Sequence, residues 1–399
     1  MSESLIGSFS GRKQISIMKW MIPINELSAQ QRKIISEITD ATSRTNWVAG
    51  YAGSGKTIVI THALKKIAKI TPRKSVRFMA YTYALRDLVA SGISAAESQR
   101  IDISTLDSFN NEDVFYDYIV VDEVQDIKDK QLKNILKRAR NVIVAGDPDQ
   151  SIYTGKVDPE DIGRILGEHK KHTLRDIHRL GQNLFNVAKE ILPEAKFVRG
   201  AALSNRSDHR VWKFEATNKD EEFRHVFQEA QRLAQLEKPS AVLFPTQDLI
   251  YRFASVVADE LCGELPPAPN RGVRKICYEE FNDFFQRRKC PLMFLGSNNG
   301  SLPKSDSTKM VYLMTYHSAK GLDFENVFLP HLNDEIYLDA KPKNLSREQE
   351  ERRHLFVALT RSRRNVFLSY HGTPHWVLKK IPKDLIESFR PHIQRGFSR

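Results

Sequence analysis

Cysteine is scarce in this chain. Only Cys262, Cys277 and Cys290 occur in 399 residues, and no two of them share a CxxC spacing. That argues against a disulfide scaffold and against a cysteine-built structural zinc site, so a reduced, cytoplasmic setting without structural zinc is expected. Long apolar runs are also missing. The early stretch ISIMKWMIPI is short and interrupted by Lys19, which makes it too short for a membrane span and a poor signal-peptide core. There is no repeat of fixed period, no low-complexity tract and no block of like charge. The nearest approach to one is the tail from Lys379 to Arg399, where Lys379, Lys380, Lys383, Arg390, Arg395 and Arg399 outnumber Asp384 and Glu387.

What is present is a soluble composition with a basic balance. Apolar residues make up 41% of the chain, the fraction of an ordinary globular protein, and the length suits two or three domains. Lys and Arg total 61 against 49 Asp and Glu, a net charge of +12. Such an excess favours a polyanionic partner, nucleic acid first, although a basic enzyme that binds only nucleotides fits the same number.

Strand-like and helix-like segments alternate along the first half. Trp47-Val48-Ala49, Val76–Tyr81, Tyr118–Val121 and Val142–Ala145 read as short strands, while Ser28–Ile38 and Ile58–Ile70 have helical spacing, with Ser28 a candidate N-cap. The second half repeats the pattern. Arg210–Phe214, Ala241–Phe244, Met310–Met314, Asn326–Leu329 and Asn365–Ser369 are strand-like, with helical spacing over Glu221–Leu236, Gln247–Cys262 and Arg347–Thr360. Alternation of this kind predicts an α/β fold of two doubly wound parallel sheets. The expected domains are 1–170 and 171–399, with 262–307 a reduced insertion that carries a small helix near Cys277–Phe285.

The strongest local signal is Gly50-Tyr-Ala-Gly-Ser-Gly-Lys-Thr57 between a strand and a helix, the spacing of a phosphate-binding loop. Gly50, Gly53, Ser54 and Gly55 let backbone N–H groups surround phosphate oxygens. Lys56 brings a positive charge to the β- and γ-phosphates, and the Thr57 hydroxyl can ligate Mg²⁺. A matching acidic pair follows Tyr118–Val121. Asp122 would hold the metal through water, and Glu123 would deprotonate an attacking water. The two sites together imply that the chain binds a nucleoside triphosphate and hydrolyses it. In VIVAGDPDQSIYTG, from Val142 to Gly155, Asp147-Pro-Asp149 is turn chemistry, and Gln150 reads either as a turn residue or as a ligand sensor.

Further segments occur in a fixed order: Leu27-Ser-Ala-Gln-Gln31, Ala80-Tyr-Thr-Tyr83, Thr105-Leu-Asp-Ser-Phe109, Asp122–Asp126, Gly146–Tyr153, Leu174–Arg179, Thr315–Phe324 and Arg352–Arg361. With the phosphate loop, this series resembles the motifs of UvrD/Rep/PcrA-type superfamily 1 helicases from Leu27 to Tyr370. The resemblance implies two tandem RecA-like domains with ATP and Mg²⁺ in the cleft between them. It implies that Gln31 reads the adenine edge, that Gln150 senses the γ-phosphate, and that Arg179 and Arg361 reach that phosphate from the second domain. Such a cationic finger typically contributes roughly 10³–10⁵ in rate. Gly321 belongs to the same nucleotide-facing set. On the nucleic-acid side Tyr81 and Tyr153 would stack on bases, while Thr82, Thr105, Thr315 and His317 would hold phosphates.

The sequence departs from the family pattern at several positions. Thr154-Gly155 stand where a stacking aromatic is usual. Ile58 replaces an arginine on one adenine face, and His178 replaces a tyrosine on the other. Asp107 replaces a histidine, and Asp323, one methylene shorter than the usual glutamate, stands at the ribose position. The family's accessory insertions are largely absent. Two readings follow: an ATP-dependent translocase or helicase on single-stranded DNA, with RNA still open, or a nucleic-acid-responsive ATPase subunit that works with a partner such as a nuclease.

Overall fold

The computed structural model describes residues 20–40, 44–71, 75–111, 114–147, 150–152, 161–195, 200–204, 209–234, 238–270, 275–296, 310–334 and 346–389. The first sheet contains β1 (Thr45–Gly50), β2 (Val76–Ala80), β3 (Ile101–Thr105), β4 (Tyr116–Val121), β5 (Ala139–Gly146) and β6 (Lys170–Leu174), in spatial order β3-β2-β4-β5-β1-β6. All its pairings are parallel. Helices cross between the strands: α1 (Ala29–Thr39) precedes β1, α2 (Lys56–Ile70) follows it, then α3 (Tyr83–Ser91), α4 (Ala95–Ser98), α5 (Asp129–Lys137) and α6 (Ile162–Leu166). Every residue of β1 and β2 is buried, as expected of central parallel strands covered on both faces. Ser28 caps α1 in a reciprocal capping box with Gln31.

A two-stranded ribbon, β7 (Asp176–Ile177) and β8 (Ala202–Leu203), brackets α7 (Gln182–Ile191) and leads into the second sheet. That sheet contains β9 (Arg210–Ala216), β10 (Ser240–Phe244), β11 (Leu292–Leu295), β12 (Val311–Thr315), β13 (Phe324–Leu329), β14 (Ser362–His371) and β15 (Glu387–Ser388), in order β11-β12-β10-β13-β14-β9-β15. It too is parallel throughout. Its helices are α8 (Lys219–Leu233), α9 (Gln247–Cys262), α10 (Tyr278–Arg287), α11 (Arg347–Leu359) and α12 (Trp376–Lys380). The architecture is the expected α/β pair of parallel-sheet domains. No helix among the described residues is long and apolar enough to cross a membrane.

Two boundaries differ from the sequence reading. β6 hydrogen-bonds to β1 over Lys170–Leu174, so the first sheet continues past residue 170. The segment 262–307 was expected to be a reduced insertion, but its described part belongs to the second sheet. β11 is the edge strand beside β12, and α10 packs over it, with Phe281 and Phe294 ring centroids 5.9 Å apart. The Asn282 amide donates to the Phe294 carbonyl at 3.0 Å and accepts from the Phe294 N–H at 2.8 Å. One side chain thus satisfies backbone groups of the sheet edge.

The two domains share buried apolar contacts. Leu85 at the start of α3 lies against Gly321, whose φ is +82° and where a Cβ would come within 2.9 Å of a Leu85 methyl. Gly321 therefore lets the second domain approach the first more closely than any side chain there would allow.

Candidate nucleotide cleft

The C-terminal ends of β1 and β4 in the first domain face β7, β13 and α11 of the second across a cleft of about 570 Å³. Parallel α/β sheets place ligand sites at these strand ends because the loops leave the sheet there and helix N-termini point inward. From the first domain Gln31, Gly53, Gly55, Lys56, Thr57, Ile58, Glu123 and Gln150 line the cleft. From the second, His178, Arg179, Gly321, Asp323 and Arg361 do. Gly50, Ser54 and Asp122 are buried behind this lining.

The loop between β1 and α2 turns at Gly53 and Gly55, with φ of +76° and +84°, conformations that suit glycine. Lys56 Nζ donates to the carbonyls of Gly50 at 3.0 Å and Tyr51 at 3.2 Å. The Thr57 hydroxyl donates to Asp122 Oδ2 at 2.6 Å. These two hard oxygen donors, one at the start of α2 and one at the end of β4, form a fitting pair for Mg²⁺. Burial and the neighbouring Glu123 push the Asp122 carboxyl up to about 7, so a divalent cation here would compensate a charge that the protein leaves strained. Burial also opposes ionisation of Glu123, but Lys320, Lys56 and Arg361 outweigh it and hold that carboxyl below the ordinary range. Glu123 has φ +55°, a left-handed conformation uncommon for a side chain of this size.

A continuous chain of side chains links the two domains beneath the cleft. Gln125 Nε2 donates to Glu123 at 2.5 Å, and Gln125 Oε1 accepts from the Asp147 N–H at 3.2 Å. Gln150 Nε2 donates to Asp147 Oδ2 at 2.7 Å, and Arg361 Nη2 donates to Gln150 Oε1 at 2.6 Å. Glu123, Gln125, Asp147, Gln150 and Arg361 are all buried. Gln150 is therefore the hinge point between the acidic end of β4 and a cation at the end of α11. Burial, then the nearby Arg179, lowers the Arg361 guanidinium to about 10. Alongside runs a second bridge that the motif reading did not single out. Lys320 Nζ pairs with both Asp126 oxygens at 2.6 and 2.8 Å and donates to the Gln150 carbonyl.

Several residues expected to face the nucleotide have protein partners. The Gln31 amide donates to the Ser54 carbonyl at 3.1 Å and accepts from the Ser28 N–H at 3.0 Å, so it braces the phosphate loop. Asp323 forms an ion pair with Arg179, whose second guanidinium nitrogen donates to the Thr360 carbonyl at 2.6 Å. Arg363 lies 3.8 Å from the same carboxylate. The His178 ring meets the Ser204 hydroxyl at 2.8 Å through Nδ1. Its backbone N–H donates to the Gly53 carbonyl at 3.0 Å. Trp20, Ile22, Leu27 and Leu88 add an apolar wall, for which the sequence offered no motif.

The expected nucleic-acid residues divide. Tyr81 is half-buried beyond β2, and burial together with Asp126 and Asp107 raises its phenol to about 12. Thr82 is buried, its hydroxyl accepting from the Leu85 N–H as the N-cap of α3, and Thr105 is also buried. Thr315 closes a tight turn with Ser318, the hydroxyls 3.0 Å apart. His317 turns inward to His354, with ring nitrogens 3.3 Å apart, and hydrogen-bonds the Ile152 backbone. Tyr153, Thr154 and Gly155 lie outside the described residues.

The chain is similar to known proteins in both of its halves. An AAA domain model matches residues 26–209, and the UvrD-like helicase C-terminal domain model matches residues 292–373. The chain is 43% identical over 63 residues to the ATP-dependent DNA helicase Rep of Buchnera aphidicola, covering 16% of this chain and 10% of that protein. It is 31% identical over 124 residues to the ATP-dependent DNA helicase PcrA of Staphylococcus aureus, covering 24% of this chain and 17% of that protein. These matches thus span less than a fifth of either relative. Among solved structures, the Arterivirus nonstructural protein 10 helicase aligns at a TM-score of 0.40 and 15% identity, over 85% of this chain and 61% of that one. In these matched segments the chain is similar to UvrD-like superfamily 1 helicases.

Proposed function

We propose that the chain is a motor ATPase that hydrolyses ATP in this cleft and translocates along single-stranded DNA. The observation that carries the reading is the buried chain from Glu123 through Gln125, Asp147 and Gln150 to Arg361. It puts a carboxylate able to activate water and a cation able to stabilise phosphoryl charge on opposite domains, joined through Gln125, Asp147 and Gln150. Glu123, held ionised by its cationic neighbours, accepts a proton from the attacking water. Lys56 and Arg361 stabilise charge on the transferred group, and Arg179 joins them once released from Asp323. Thr57 and Asp122 would hold Mg²⁺, which neutralises phosphate charge when bound. Because the site needs both domains, each hydrolysis event changes the contacts that hold them together. Motion along a strand follows if each domain grips it in turn.

A second reading has its own support. Asp107 is exposed and acts on Tyr81, which puts negative charge on the strand path that the motif positions imply. That weakens grip and favours an ATPase switch that responds to nucleic acid without unwinding it. The test measures ATPase rate alone, with single-stranded DNA and with single-stranded RNA, alongside unwinding of tailed duplexes. Stimulation by DNA with unwinding supports a helicase, and stimulation without unwinding supports a bare translocase or the switch. A rate indifferent to both nucleic acids refutes the motor reading.

A further inference from the structure

A second polar cluster lies at the ends of β13 and β14, and none of its residues lines the nucleotide cleft. Glu222, in the first turn of α8, is fully buried. One of its oxygens accepts from the Ser369 hydroxyl at 2.7 Å and from the His331 backbone N–H at 2.6 Å. The other lies 2.6 Å from Nδ1 of His371, the last residue of β14. His331, two residues past β13, is held at φ +60°, a conformation that L side chains rarely adopt. Its ring lies 5.1 Å from the His371 ring, and its Nδ1 is buried with no hydrogen-bond partner. One ligand atom from each of the three residues falls within 4.8 Å of the others.

Hydrogen bonding accounts for Glu222 and His371 but leaves two features of His331 unexplained. A buried imidazole nitrogen ordinarily finds a partner, and a strained backbone persists only where its surroundings enforce it. A cation between the three groups explains both. Two imidazoles and one carboxylate form a donor set suited to zinc and related first-row ions, whereas magnesium and calcium favour all-oxygen sites. Bonds of roughly 2.0–2.2 Å put tetrahedral ligand atoms about 3.3–3.5 Å apart. That spacing lies between the 2.6 Å carboxylate–imidazole contact and the 4.8 Å span of the cluster. Ser369 and the His331 N–H already orient the carboxylate, as outer-shell partners do in metal sites. Both histidines are only half-buried, which leaves a fourth position for water.

We propose that Glu222, His331 and His371 bind one zinc-class divalent ion that ties α8 to the ends of β13 and β14. The ligands are separated by long stretches of chain, so no spacing motif announces them, and the absence of paired cysteines does not bear on this site. The test titrates the chelator-treated full chain with Zn²⁺ in excess Mg²⁺, followed by calorimetry and thermal melting. Expected are one strong site per chain and a Tm rise of about 5 °C at a hundredfold excess over Kd. His331→Gly suits the left-handed backbone and so preserves the fold, while His371→Gln keeps a hydrogen bond to Glu222. Each should weaken zinc binding by about 100-fold or more, since even outer-shell losses reach that size. No zinc binding by the unmodified chain overturns the proposal. Binding unchanged in both variants also overturns it, because the ion would then sit on the cysteines or the phosphate loop.

Discussion

The Lys320–Asp126 pair offers the sharpest test of how the two domains are held together. Lys320 comes from the second domain and Asp126 from the first, and their side chains are only 2% and 1% exposed, with Nζ 2.6 Å from one carboxylate oxygen. Lys320→Met keeps the length of the side chain and removes its charge, leaving Asp126 buried without that cation. Breaking a buried pair from one side typically costs about 3–5 kcal/mol, because the remaining charge stays desolvated. Asp126→Asn in the same background removes that stranded charge, so the double variant should regain about 2–3 kcal/mol relative to additivity. The assay is denaturant unfolding of the four proteins in the cycle, read at the first transition, where the domains separate, together with steady-state ATPase. Turnover should fall with stability, since Lys320 also holds the Gln150 carbonyl. A Lys320→Met variant within about 0.5 kcal/mol of the parent, or strictly additive substitutions, would show that the pair contributes no net docking energy and would refute this reasoning.

Three further outcomes are expected. Glu123→Gln should bind ATP and lose roughly 10²–10⁴ in single-turnover hydrolysis, and full turnover would remove Glu123 from the role of base. Gln150→Ala leaves Arg361 and Asp147 without their shared partner, so kcat should drop by about 10–100-fold, the range of a hydrogen bond to a charged group, with KM for ATP little changed. A large rise in KM alone would instead make Gln150 a ground-state binding residue. The third concerns pH. Burial lowers His317 to about 3 and His354 to about 4, so both are neutral when folded and take up protons on unfolding. Their contribution is complete above the ordinary histidine value near 6.5 and is lost as pH falls from there toward 4 and then 3. Each proton steepens that loss by about 1.4 kcal/mol per pH unit. Unfolding followed from pH 7 to 4.5 should show the slope, and a His317→Asn/His354→Gln variant should flatten it. A slope unchanged in the double variant would contradict this assignment.

Much of the fold was legible because parallel strands buried on both faces show as short β-rich runs. Arg210–Phe214, Asn326–Leu329 and Asn365–Ser369 each fall within an observed strand. The strands missed were β3, β6 and β11 and the two-residue β7, β8 and β15, which are short or lie at a sheet edge. β6 reads Lys-Lys-His-Thr-Leu, and its polar residues are accommodated because it lies at the sheet edge. β11 is four residues long, and its place in the sheet depends on α10 and Asn282. At the site, the phosphate loop and acidic pair were readable because their chemistry is local, with backbone turns at fixed offsets and a carboxylate at a strand end. The partners of Gln125, Asp126 and Lys320 were not readable. Lys320 meets Asp126 across 194 positions, and only the closed arrangement of two domains brings them together. His317 meets His354 within the second domain, across 37 positions, a tertiary contact that no local pattern announces.

The central claim is that one ATP site is built from both domains, and Arg361 tests it most directly. Arg361→Ala removes a cation supplied only by the second domain while leaving the phosphate loop intact. Single-turnover ATP hydrolysis, measured beside nucleotide binding, should fall by roughly 10³-fold or more with affinity for ATP largely retained. Hydrolysis at the parental rate would mean that the first domain works alone, and would contradict the account.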